Sequence, residues 1–103
     1  MSGVRCYMIV SFSNKLAQDL FQDLNTKSVR LFPANLKRVA RRKLAYLHDA
    51  GELGDLKVPP GNKLESLSGN WKGFHSIRIN DQWRLLFKWH ANDAYEVAII
   101  DYH

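Results

Sequence analysis

The spacing of apolar residues changes period along this chain, and that change constrains the fold more than any other feature. In the first half the period is helical. Leu16, Ala17, Leu20, Phe21 and Leu24 recur three and four residues apart, and Leu36, Val39, Ala40, Leu44 and Leu47 form a second stripe. In the second half the period falls to two, in His75-Ser76-Ile77-Arg78-Ile79 and along most of Trp83 to Trp89. Met8 to Phe12 is β-rich and reads as a first strand, Lys63 to Leu67 as a short one, and Tyr95 to Ile100 as the last. The order is β-α-α-β-β-β-β. Helices that precede most of the strands cannot serve as crossovers between parallel strands. The pattern therefore predicts an α+β fold, with two N-terminal helices packed on a mainly antiparallel, curved β-sheet.

Punctuation along the chain agrees. Ser13 is the expected N-cap of the first helix. Asn25 to Phe32 is polar and basic and reads as a connection. Pro33 suits the first turn of the second helix, which Gly51 and Gly54 would end. Leu53 to Asn62, with Pro59, Pro60 and Gly61, reads as a loop. Asn80-Asp81-Gln82 and His90 to Asp93 read as hairpin turns. A chain of 103 residues without repeats is expected to be one domain, residues 1–103. Met8 is a second candidate start, which would make residues 1–7 an N-terminal extension.

Composition narrows the function classes. No apolar run approaches the length of a transmembrane helix, and the N-terminus is too short and polar for a signal peptide. One cysteine allows no internal disulfide, which points to a reducing cytoplasm. Cys and His lack metal-ligand spacing, and no cofactor motif is present. Fifteen Lys and Arg against ten Asp and Glu give a net charge of +5, a balance suited to nucleic acid.

Two basic groupings stand out. In the strands, alternation sets Ile77 and Ile79 on one face and Ser76 and Arg78 on the other; Arg84 points away from Leu85 and Phe87. Arg78 and Arg84 would then share a face of adjacent strands near one turn, and could hold a phosphate with planar forks of donors. The plainer alternative pairs them with Asp81 and Glu96 as solvated edge charges. On the second helix, Lys37, Arg38, Arg41, Arg42 and Lys43 crowd the polar face. They could bind RNA or rRNA electrostatically, dock an acidic partner, or simply be solvated. Of Trp71, Trp83 and Trp89, two are expected to be core. His48 and His75 read most simply as surface or hydrogen-bonded residues. The chain ends in Asp101-Tyr102-His103, three titratable groups at a sheet end that can support proton transfer.

Three segments together resemble the HigB branch of the RelE/ParE toxin superfamily: Pro59-Pro60-Gly61-Asn62-Lys63-Leu64-Glu65, the run Gly73 to Arg84 containing Ser-Ile-Arg-Ile-Asn and Gln-Trp-Arg, and the terminal Asp101-Tyr102-His103. The resemblance spans residues 8–103. It implies a type II toxin that cuts mRNA in the ribosomal A site and is silenced by a HigA-like helix-turn-helix antitoxin, through which alone it would meet operator DNA. The implied reaction is metal-independent and needs no cofactor. The implied site is Asp101, Tyr102 and His103 with Arg78 and Arg84; Lys63 is a further candidate phosphate contact. Some HigB toxins carry a histidine where this chain has Glu65, and a basic residue where it has Ser68. Glu65 is therefore a candidate base, and the identity of the general base stays open. The superfamily also contains gyrase poisons. The alternatives are a non-nucleolytic toxin that binds gyrase or a ribosome-assembly factor, and a non-catalytic nucleic-acid-binding module.

Overall fold

The structure is a computed structural model and describes residues 9–102. Three helices come first: α1 (Lys15–Phe21), α2 (Lys27–Leu31) and α3 (Lys37–Asp49). Four strands follow, β1 (Glu65–Ser66), β2 (His75–Arg78), β3 (Trp83–His90) and β4 (Asp93–Asp101). They form one antiparallel sheet in the order β1-β2-β3-β4. This is the expected α+β architecture with one helix more. The basic stretch read as a connection contains α2, which buries Val29 and packs on α1. Five residues carry too few apolar positions for a period to show.

The first predicted strand is only partly formed. Met8 lies outside the described residues. Ile9 and Phe12 make isolated parallel bridges to Ala94 and Val97, which places residues 9–12 beside β4. The serines there serve this junction instead of a helix cap: Ser13 Oγ donates to the Glu96 carbonyl (3.0 Å), and Ser11 Oγ accepts from the Glu96 amide (2.9 Å). The N-cap of α1 is Asn14. Its Oδ1 accepts from the Ala17 amide (3.0 Å), and its Nδ2 donates to the Ile99 carbonyl (2.8 Å). One side chain thus caps the helix and ties it to β4.

The α3 helix ends at Asp49, one residue before Ala50 and two before Gly51. Gly54 lies past that end, inside a 3₁₀ turn, Leu53–Lys57. The loop after α3 carries this turn and a second one, Pro60–Asn62. The β3–β4 turn has two central residues with positive φ, Ala91 (50°) and Asn92 (65°), the backbone that matches strand twist in a two-residue hairpin.

The core lies between the helices and one face of the sheet. Leu20, Ala40, Leu44 and Leu47 from the helices meet Ile77, Leu85, Phe87, Val97 and Ile99 from the strands. Trp83 and Trp89 pack against this cluster, whereas Trp71 is exposed, as expected for two core tryptophans of three. Removing one such side chain, as in Leu44→Ala, costs roughly 2–5 kcal/mol. Side chains at alternate strand positions must leave by the opposite face, and the predicted cations are among them.

Candidate active site

Register fixes the centre of the site. Arg78 on β2 is directly opposite Arg84 on β3, and Ile100 on β4 is opposite Arg84 in turn. Directly opposed residues share a face. The two guanidinium groups therefore leave from the sheet face turned away from the helices, as the alternation predicts. Two like charges held opposite each other repel, so their placement needs compensation or an anion.

The β2–β3 turn supplies part of that compensation. Asn80 Oδ1 accepts from the amides of Gln82 (2.9 Å) and Trp83 (2.7 Å), which closes the turn. Arg78 pairs with Asp81 across it. Arg84 donates to the Asn80 carbonyl, and its guanidinium lies 5.7 Å from the centre of the Tyr102 ring. Among the described residues Arg84 pairs with no carboxylate; Glu96 pairs with Lys88 instead (3.1 Å). The hydrogen bond to Asn80 also gives Arg84 a structural duty that alternation alone does not reveal.

The chain end is held on this turn. Asp101 is opposite Trp83 in the ladder, and its Oδ2 accepts from Gln82 Nε2 (2.9 Å). The Tyr102 amide donates to the Gln82 carbonyl (2.7 Å). Tyr102 is thus pinned beside Arg84, whereas Asp101, opposite Trp83 in the ladder, starts from the other face and is held at the turn by Gln82. His103 lies outside the described residues.

The electrostatics around Asp81 are those of an exposed carboxylate among cations. Asp81 titrates below the usual carboxylate range, chiefly through its hydrogen bond to Arg78 and that residue's charge. Lys63 and Arg84 contribute as further nearby cations. Lys63, with φ of 48°, brings its charge toward the turn from the preceding loop. The Arg78–Asp81 pair is solvent-facing, with the Asp81 side chain 97% exposed, so a phosphate could displace that carboxylate at little cost. Glu65 lies on β1 opposite Ser76, two residues along β2 from Arg78, and so belongs to the same face. Among the described residues, no group of three or more His, Cys, Asp and Glu is arranged to hold a metal ion.

The cations of α3 are not part of this cluster as a group. Lys37 is half-buried, and Arg38 and Arg42 are exposed on the helical layer. Arg41 donates to the Leu20 carbonyl (3.2 Å) and pairs with Asp23 (3.0 Å), which joins α3 to the end of α1. Lys43 is a correction to the expected basic face: it is buried, 8% exposed, and donates to Asn62 Oδ1. His75 stacks on Phe87 (ring centres 5.7 Å apart) and contacts Ser66 Oγ at 3.2 Å; burial lowers its pKa. Alternation and charge did not single out Gln82 and Asn80 as supports of the site, although both stand in the Ser-Ile-Arg-Ile-Asn-Asp-Gln-Trp-Arg run.

Similarity to known proteins identifies the family. Residues 10–103 match the family model for HigB-like toxins, described as the RelE-like toxin of the type II toxin–antitoxin system HigB. The chain is 42% identical over 82 residues to Toxin HigB-1 of Vibrio cholerae, covering 80% of this chain and 84% of that one. It is 33% identical over 96 residues to Endoribonuclease HigB of Proteus vulgaris, covering 93% of this chain and all of the other. A solved YoeB–YefM complex from Staphylococcus aureus matches with a TM-score of 0.52 and 25% identity, over 92% of this chain and 94% of that chain. The chain belongs to the HigB-like family of RelE-like toxins from type II toxin–antitoxin systems.

Proposed function

We propose that this toxin is a ribosome-dependent endoribonuclease that cuts mRNA during translation. The observation that carries the reading is the Arg78–Arg84 pair, opposed across two strands with Tyr102 beside Arg84. Phosphodiester cleavage by the neighbouring 2′-hydroxyl needs a base for the 2′ proton, an acid for the leaving 5′ oxygen, and cations for the charge on phosphorus. The 2′ oxygen bonds to phosphorus, the bond to the 5′ oxygen breaks, and a 2′,3′-cyclic phosphate is left. Arg78 and Arg84 suit the cationic role, since forked donors match phosphate oxygens. Tyr102 is placed to hydrogen-bond or stack beside Arg84. His103 is assigned acid or base, Asp101 its orienting carboxylate, Glu65 the alternative base, and Lys63 a phosphate contact.

The ribosome would supply substrate geometry, and Lys37, Arg38 and Arg42 on the helical layer would add attraction to rRNA. The partner in the cell would be a HigA-like helix-turn-helix antitoxin, with operator DNA reached through it. The compartment would be the cytoplasm. Among the described residues no helix is long and apolar enough to cross a membrane.

Mapping of 5′ ends in a purified translation system, with and without ribosomes, tests the reading. Cuts confined to ribosome-engaged reading frames are expected. Equal cutting of naked RNA would overturn ribosome dependence. No cutting in either arm would favour a toxin that inhibits gyrase or ribosome assembly without cleavage.

A further inference from the structure

Lys43 is held in a way that its place on a helix does not explain. Buried ammonium groups are ordinarily matched by a carboxylate, because removing an unpaired charge from water is costly. Among the described residues the polar partner of Lys43 is an uncharged amide, Asn62 Oδ1, with the Tyr46 ring 5.8 Å away. Its charged neighbours are cations. Burial first, then Arg42 and Arg78, lower the Lys43 pKa. A fold seeking stability alone would put Leu or Met at this position, which lies on the α3 stripe with Ala40, Leu44 and Leu47.

Asn62 is equally committed. It is fully buried, and its Nδ2 donates to the carbonyls of Leu56 (3.1 Å) and Val58 (3.3 Å). Its amide donates to the Pro59 carbonyl (2.9 Å), and the Lys63 amide donates to the Pro60 carbonyl (3.1 Å). The next residue, Lys63, takes the left-handed backbone, and Glu65 opens β1 two residues later. The Lys43–Asn62 contact therefore fixes the point from which the chain delivers Lys63 and Glu65 to the arginine pair.

We propose that Lys43 and Asn62 are positioning residues: a buried clamp from α3 that sets the Lys63–Glu65 segment against the substrate phosphate. The inference rests on the ribonuclease reading above and adds to it two residues that touch no substrate.

The test is single-turnover cleavage of mRNA on programmed ribosomes by wild type, Lys43→Met, Lys63→Ala and the double variant. Met keeps the volume of the buried stem and removes the ammonium. Misplacing a reacting group by about 1 Å can cost ~10²-fold. Lys43→Met should therefore cut at least about tenfold more slowly with ribosomes saturating, while its ribosome affinity changes less than about threefold. In the double variant the losses should not multiply, because the clamp acts through the segment that Lys63→Ala has already impaired. A general loss of stability would lower the melting temperature and leave the saturated rate of the folded fraction unchanged. If Lys43→Met does not fold, Asn62→Ala removes the acceptor instead, and the same selective loss is expected. Wild-type cutting matched by either folded variant would overturn the clamp, as would multiplied losses in the double variant. If the wild-type toxin cuts nothing on ribosomes, the ribonuclease reading falls and the clamp falls with it.

Discussion

The β2–β3 hairpin and helix α3 carry cations of the same kind in opposite settings. On the hairpin, Arg78 and Arg84 are fixed by strand register and by contacts with Asp81, Asn80 and Tyr102, so both leave one sheet face as neighbours. On α3 the cations scatter. Lys43 turns inward, Arg41 ties two helices together, and Arg38 and Arg42 reach solvent. Strand pairing sets neighbouring side chains about 5 Å apart on one face, whereas a helix turns each successive residue by about 100°. A run of basic residues on a helix therefore yields several roles, and two arginines on paired strands stay neighbours on one face. That contrast predicts chemistry at the hairpin and at most attraction at the helix.

The sharpest way to break the contrast is Arg84→Ala. Losing one preorganised donor to the transition-state charge costs about 10²–10³ in rate. Arg84→Lys should also be slow, because an ammonium lacks the fork. The melting curve should fall modestly, by the ~0.5–1.5 kcal/mol of one hydrogen bond to the Asn80 carbonyl. Near-normal single-turnover cleavage by Arg84→Ala would remove the arginine pair from the mechanism.

The helix side is tested by reversing Arg38 and Arg42 to Glu together. The saturated cleavage rate should hold, and ribosome affinity should weaken. The slope of its logarithm against log salt should flatten by about one for each phosphate no longer neutralised. Unchanged binding across a salt titration would leave these two residues as solubilising charges. A drop in the saturated rate would erase the distinction between the two regions.

Much of this architecture was legible, and the failures have physical causes. The change of period gave the helices-then-sheet order, and alternation gave the shared face of Arg78 and Arg84, because both depend only on side-chain direction. Lys43 was misread because charge was counted without phase. It lies three residues after Ala40 and four before Leu47, inside the buried stripe. Ser13 was a sound cap by type, but Asn14 can both accept from Ala17 and donate to Ile99, and that second partner is 85 residues away. Long-range partners of this sort leave no local trace. The same is true of Gln82, whose links to Asp101 and Tyr102 hold the chain end on the turn.

A smaller effect separates the two layers. Asn14→Ala removes the cap of α1 and its tie to β4, at a cost of about 1 kcal/mol for the cap. In a domain of this size that lowers the melting temperature by roughly 4–8 °C. Cleavage at a temperature where the variant is fully folded should match wild type, since the cap stands on the core side of the sheet. A slowed folded enzyme would show that the helix layer tunes the site more than the contrast allows.

The smallest expected effect lies within β2 itself, where His75 and Arg78 face opposite ways. His75 stacks on Phe87 toward the core, and burial holds its pKa below the ordinary histidine value. The unfolded chain takes up this proton near pH ~6.5. The folded chain resists it until a lower pH. Between those two values the unfolded state binds more protons, so stability rises with pH and is lost as the medium is acidified. Below the folded pKa the loss levels off. Melting temperatures followed downward from neutral pH should therefore fall below about pH 6.5. His75→Phe should flatten that part of the curve, because it keeps the stack on Phe87 and removes the titrating ring. The contact with Ser66 Oγ is exposed and costs little to lose. An unchanged curve in His75→Phe would assign the acid sensitivity to other groups. A flattened curve with an unaltered pH profile of cleavage would place the proton chemistry of the reaction on the opposite face of the same strand, with the arginines.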